Sequence, residues 1–363
     1  MTSSRTLAAG LTLVAVAAVA GALSLARDSD PASAGTAVAS PSPSPSPSPD
    51  PTFTAPLTGV EGDDPTVLER PVVAVKIENS RKARPQSGLE VADVVYEELT
   101  EGGITRFVAV YQSRIPATVG PVRSGRLVDA QVVPAYRGVL AISGAREDVL
   151  VALRRVGVPL VADDGRGTIF YRERSRSAPS NLYAAGADLF GAARERSGAA
   201  RPAWRFADEP PAGASACPPA AGPATPAACT DPGASLTVRM SGVSSTGWEY
   251  DEAAGLYRRV QDGEPHLVTG AGRIGAANVL AIGTDIGPGP CCDPAGNPMT
   301  ATRVTGQGSG VLLRDGQRYE ITWSKPSPTS HFEVRATDGR PIPFKPGPTW
   351  VMLAPASGIP GTG

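Results

Sequence analysis

Residues Arg70 to Arg126 hold the densest set of chemically able side chains in this 363-residue chain: RPVVAVKIENSRKARPQSGLEVADVVYEELTEGGITRFVAVYQSRIPATVGPVRSGR. Glu97 and Glu101 flank a Gly-Gly turn, with Glu78 and Glu98 near in sequence. Paired carboxylates at a suitable separation run glycoside hydrolysis, one as acid and one as base or nucleophile. Strand alternation places Glu97 and Glu98 on opposite faces, and Glu101 in the turn is free to converge with Glu97. Adjacent charges also serve as a solvated face. Arg84, Arg106, Arg123 and Arg126 fall in loops or at strand ends of the same block. Guanidinium groups recognise carboxylate and phosphate bidentately. Ser124 reads as the N-cap of a helix carrying Val128, Val132 and Tyr136 on one stripe, and a helix start adds free N–H donors for an anion. Arg176 and Asn181 approach from a later segment. The ligand-binding set is therefore Glu78, Asn79, Arg84, Arg106, Arg123, Ser124, Arg126, Arg176 and Asn181, with Glu97 and Glu101 as catalytic candidates. The competing reading is internal pairing of these arginines with Glu78, Asp93, Glu97 and Glu101.

Apolar runs position those residues. Val72–Glu78, Val91–Leu99 and Ile104–Gln112 read as strands, the last two joined as a hairpin through Thr100–Gly103. Glu147–Val156 and Leu182–Arg196 read as helices, and Val139–Ile142 and Val158–Val161 as short strands. Beyond residue 234, turn-bounded strands follow without a convincing helix: Ser235–Met240, Trp248–Tyr250, Leu256–Val260, Asn278–Ile282, Thr302–Val304, Gly310–Leu313, Tyr319–Trp323 and Trp350–Leu353. The expected class is α+β, a mixed α/β N-terminal domain followed by a smaller, mostly-β domain. The 41 Gly and 37 Pro suit short strands and many turns.

The uncharged run Leu7–Ala26, with Arg5 before it, is long enough to cross a bilayer and Ala-rich enough for a signal peptidase. Residues 1–34 are thus a signal peptide or an N-terminal membrane anchor. Residues 35–66 contain a Ser-Pro repeat, a semi-rigid spacer of about 3 Å per residue. Residues 67–206 form the first domain, 207–233 an Ala/Pro-rich linker or insertion, and 234–357 the second domain. The protein is expected outside the cytoplasm, secreted or tethered to the outer face of the membrane, with membrane contact only through an uncleaved N-terminal segment. A net charge of −1 gives no reason to expect nucleic acid.

In an exported chain Cys217, Cys229, Cys291 and Cys292 are expected in disulfides, and three connectivities stay open. No His neighbours either pair, so metal is not expected, and no cofactor motif is present. His266 and His331 sit in no metal or nucleophile motif, and His266 reads as a surface or sheet-edge residue. Trp323 and Trp350 suit core packing, or sugar stacking if exposed. The chain has no GxSxG, P-loop or SxxK motif.

Several segments carry a resemblance: Ile77-Glu78-Asn79, Ala83 to Leu89 (ARPQSGL), Ala92 to Glu97 (ADVVYE), Glu101 to Phe107 (EGGITRF), Gly120 to Ser124 (GPVRS) and Ser175 to Tyr183. Together they resemble the YerB-like bacterial envelope lipoproteins, over about 70–185 and more loosely 235–355. The resemblance implies a two-domain extracytoplasmic protein of uncharacterised activity. A lipoprotein needs a Cys directly after its signal peptide, and the first here is Cys217, so the chain resembles the family without its lipid anchor. The expected function is a binding or scaffolding module for an anionic or polar cell-wall component or envelope protein. A carboxylate-dependent hydrolase acting on envelope glycans or phosphodiesters is the alternative.

Overall fold

The computed structural model describes residues 53–211, 233–292 and 296–361. The expectations for the export segment, for the Ser-Pro repeat and for Cys217 and Cys229 fall outside these residues. Packing starts earlier than expected. Ala55 and Leu57 are buried, so the last part of the expected 35–66 spacer belongs to the folded body, and Ile359 extends it at the other end.

The apolar runs of the first block become β1 (Val73–Glu78), β2 (Val94–Leu99) and β3 (Thr105–Tyr111). Every residue of β1 and β3 is buried. Strands of that kind need cover on both faces. Next come β4 (Val139–Ile142) and β5 (Leu160–Ala162). The β-rich region supplies β6 (Ser235–Arg239), β7 (Ser245–Asp251), β8 (Leu256–Gln261), β9 (Asn278–Cys292), β10 (Gly306–Arg314), β11 (Gln317–Lys325), β12 (Glu333–Ala336) and β13 (Thr349–Pro355).

One sheet runs through both sequence regions, in the order β12-β11-β10-β9-β13-β2-β3-β1-β4-β5. The joint is β13. It lies parallel to β9 on one side, with Leu280 opposite Val351, and parallel to β2 on the other, with Tyr96 opposite Val351. The regions 67–206 and 234–357 therefore share a sheet and its cores. Strands dominate the fold. The α-helices among the described residues, α1 (Asp129–Val132), α2 (Glu147–Arg155) and α3 (Gly186–Ala193), all belong to the first region.

On one face, Val75, Ile77, Val95, Phe107, Met352 and Trp350 pack against β6–β8 and α3 through Leu236, Val238, Trp248, Tyr257, Leu189 and Phe190. On the other, Ala74, Tyr96, Val108, Leu140 and Leu353 meet Val128, Val132, Tyr136, Val149, Leu153 and Trp204.

Two local expectations fail for identifiable reasons. Ser124 caps no helix, because α1 starts only at Asp129 and spans four residues before a 3-10 turn (Val133–Tyr136). The Arg126 N–H at that start is taken by the Asp129 carboxylate at 2.6 Å. The helix expected over Leu182–Arg196 begins as a strand, Leu182–Ala185, because Phe170–Arg172 pairs with it antiparallel.

Candidate functional site

The strand ends of β1–β3 gather two polar clusters, one on each face of the main sheet. On the face toward β6–β8, Glu97 and Arg259 form a fully buried ion pair at 2.8 Å. Thr105 and Thr246 donate their hydroxyls to Glu97 at 2.8 and 3.0 Å. From Arg259 a second path leads back to the same carboxylate. Its Nη1 donates to His266 Nδ1, His266 Nε2 donates to Gln86 Oε1 at 2.7 Å, and Gln86 Nε2 donates to Asn79 Oδ1 at 3.2 Å. Asn79 Nδ2 then donates to Thr105 Oγ1 at 2.7 Å, which closes the ring on Glu97. Burial and the neighbouring Arg259 depress the His266 pKa far below its ordinary value, so the ring is neutral with its proton on Nε2. Arg259 is stacked over Phe107 and Trp350 at 5.0 Å each. Apart from the Arg259 Nε, which has no hydrogen-bond partner among the described residues, the buried polar groups here are paired inside the protein, as a buried network requires. It ties Asn79, Gln86, Glu97 and Thr105 of one region to Thr246, Arg259 and His266 of the other. Its chemistry is that of a clasp.

On the opposite face Lys76, Glu98 and Asp129 are fully buried, with Lys76 Nζ donating to both carboxylates. Burial first, and Asp129 beside it, raise the Glu98 pKa to about 7 against the pull of Lys76. Above this triad stand Arg106, Arg123 and Arg126. Arg126 grips Glu101 through Nε at 2.6 Å and Nη2 at 2.7 Å. Burial of Glu101 opposes this grip, yet the hydrogen bond and charge of Arg126 still hold its pKa below the usual carboxylate range. Arg123 Nε lies 3.7 Å from Glu78 Oε2, and its Nη1 donates to the Pro179 carbonyl at 3.3 Å. Arg106 differs from both. It is 5% exposed, donates to the Ser124 carbonyl at 2.8 Å, and has no carboxylate within 4.0 Å among the described residues. Burial, then the charges of Arg126 and Arg123, depress its pKa to about 10. A buried guanidinium crowded by two others and lacking an acid partner is a position that an incoming anion stabilises.

The structure separates the residues expected together. Glu97 and Glu101 have different arginine partners on opposite faces of the sheet, and Glu97 is sealed from solvent. Asn79 belongs to the clasp. Arg84 pairs with Asp262 at 3.0 Å beside a cavity of about 280 Å³ that His266 also lines. Arg176 donates to the carbonyls of Lys82, Ala83 and Pro85, and Asn181 accepts from Arg172 at 3.2 Å. The Ser124 hydroxyl lies 3.3 Å from that of Ser143. His266, expected at the surface or a sheet edge, is buried in the clasp. Trp323 and Trp350 are core residues. Cys292 ends β9 exposed, the side chain of Cys291 lies outside the described residues, and no disulfide occurs among those described. Sequence reasoning passed over Lys76, Arg259, Gln86 and Asp129. A lysine inside the run VAVKIE, and an arginine at an inward position of LYRRVQ between Tyr257 and Gln261, were the available signals.

Comparison with known proteins agrees with this layout. The family model described as the N-terminal domain of a protein of unknown function (DUF3048) matches residues 57–199, and its C-terminal counterpart matches residues 236–351. YerB of Bacillus subtilis (strain 168), a lipoprotein by name, is 29% identical over 314 residues, covering 83% of this chain and 86% of its own. The crystal structure of YerB from Bacillus subtilis superposes with a TM-score of 0.69 at 27% identity, covering 84% of this chain and 97% of that one. The matches span both sequence regions joined through β13, and the chain belongs to the YerB-like two-domain DUF3048 family.

Proposed function

We propose that the protein works outside the cytoplasm as a non-enzymatic binding or scaffolding module for an anionic cell-wall component or wall-synthesis partner. The uncharged run Leu7–Ala26, the Ser-Pro repeat that follows it and the lipoprotein name of the Bacillus relative support the location. Disulfides among Cys217, Cys229, Cys291 and Cys292, with all three connectivities open, belong to the same proposal. The observation that carries the binding role is Arg106, a nearly buried cation with no carboxylate within 4.0 Å among the described residues, flanked by Arg123 and Arg126. Arg123 and Arg126 are partly exposed and form the rim an anion meets first. Glu97, locked on Arg259 away from solvent, gives no support to carboxylate-driven hydrolysis.

The test is thermal stability of the purified protein against muropeptides, wall glycans, phosphorylated polymers, nucleotides and divalent ions. A ligand at about 100 times its Kd adds about 2.7 kcal/mol. The reading expects an upward shift with phosphorylated polymers that disappears in Arg106→Gln. A shift of equal size in that variant, or none with any anion, removes it.

A further inference from the structure

Away from the arginines, the small sheet formed by Thr118–Val119, Leu182–Ala185 and Phe170–Arg172 presents an aromatic face. Tyr183 and Tyr171 are directly opposite each other in register, so both side chains fall on the same side of this sheet. Their ring centroids are 6.3 Å apart with planes inclined by 30°. Tyr171 is 40% exposed, while Tyr183 behind it is 3% exposed. The Arg176 guanidinium lies 5.9 Å from the Tyr183 ring centroid and is pinned by the carbonyls of Ala83 and Pro85, which fixes the wall of the groove. The open space above the tyrosines has a volume of about 520 Å³, enough for a chain of small rings. Around it stand Ser87, Glu90, Thr118, Glu173, Ser175 and Thr269. The Tyr183 hydroxyl has no hydrogen-bond partner in the protein among the described residues, although the residue is buried and lines this groove. Burial raises its pKa, which keeps the hydroxyl a donor.

We propose that this groove binds a neutral saccharide chain, with a sugar ring stacked on Tyr171 and its hydroxyls hydrogen-bonded by Tyr183 and the carboxylates of Glu90 and Glu173. The apolar face of a sugar ring matches an exposed aromatic, and its hydroxyls match a polar rim that mixes donors and acceptors. A proline-rich peptide also uses aromatic-lined grooves, but it brings few donors for the two carboxylates. The site is separate from the Arg106 cluster and does not depend on it.

The experiment titrates the purified full-length protein with chitohexaose and cellohexaose by calorimetry. At least one is expected to bind. Tyr171→Ala should weaken it by about tenfold or more, Tyr171→Phe should keep it, and Tyr183→Phe should weaken it severalfold through the lost hydroxyl. Because Tyr171 is exposed, its variants should retain the wild-type melting midpoint. Arg106→Gln should leave the affinity unchanged, which separates this site from the anion site. The proposal is overturned if neither saccharide binds, if Tyr171→Ala binds as wild type does, or if only a decaproline peptide occupies the groove.

Discussion

Replacing Arg106 with methionine should make the protein more stable while removing its response to anions. The side chain is 5% exposed, and its pKa falls from the ordinary 12.5 to about 10, chiefly through burial and then through Arg126 and Arg123. At 1.36 kcal/mol for each tenfold change in proton affinity, that difference corresponds to destabilisation of the cation on the order of 3 kcal/mol. Both folded and unfolded states keep the charge at pH 7, so the penalty is present in full there. Against it stands one charge-assisted hydrogen bond, to the Ser124 carbonyl, worth about 1.5 kcal/mol. That carbonyl also accepts from Arg126 Nη1 at 3.1 Å, so it is not orphaned by the change. Methionine fills similar length without charge. The net gain is about 2 kcal/mol, read by urea unfolding at pH 7 and low salt, and accompanied by a rise of several degrees in the melting midpoint. A loss of about 1 kcal/mol or more would show that Arg106 holds the fold together, and would refute the argument that its cation awaits a partner.

The clasp predicts the opposite sign. Glu97→Ala strands Arg259 as a buried, uncompensated charge and should cost about 3–5 kcal/mol in urea unfolding, whereas Glu97→Met with Arg259→Met should cost clearly less than the sum of the single changes. Strict additivity in that cycle would count against the pair. The raised Glu98 pKa makes the native state bind more protons than the unfolded state between about pH 4.5 and 7, so this group's stabilisation fades as pH rises through that window. Glu98→Gln should therefore gain stability relative to wild type as pH goes from 5 to 8, and a constant difference would contradict the assignment. At Gly310 in β10 an added Cβ would sit 2.3 Å from the Ala281 carbonyl oxygen, so Gly310→Ala should cost about 1–3 kcal/mol in thermal unfolding; a neutral result would show that β9 and β10 yield there.

The local elements were largely readable from the sequence. The runs around Val73–Glu78, Val94–Leu99 and Thr105–Tyr111 are β-branched and apolar enough to specify strands, and the glycines at 102 and 103 do adopt the positive φ of a tight turn. What no local pattern specifies is the partner of each strand. The insertion of β13 beside β2 pairs residues some 250 positions apart, so two sequence regions that look like separate domains share one sheet. The same distance hid the clasp, because Glu97 meets Arg259 only after β8 folds back over the main sheet. The arginine block was legible as a cluster but not in its division of labour. Which guanidinium is paired depends on Glu101 and Asp262 arriving from other segments. Ser124 misled because a serine before an apolar stripe looks like a cap, while the backbone donor it would have needed is bound by Asp129.

The most direct test of the central claim is calorimetric titration of a soluble poly(glycerol phosphate) into the wild-type protein and into Arg106→Gln, each at low and at moderate salt. The account predicts binding to the wild type that weakens as salt screens the charges, and at least about tenfold weaker binding in the variant at the same salt. Equal affinity in the two proteins, or no binding to the wild type even at low salt, would contradict it.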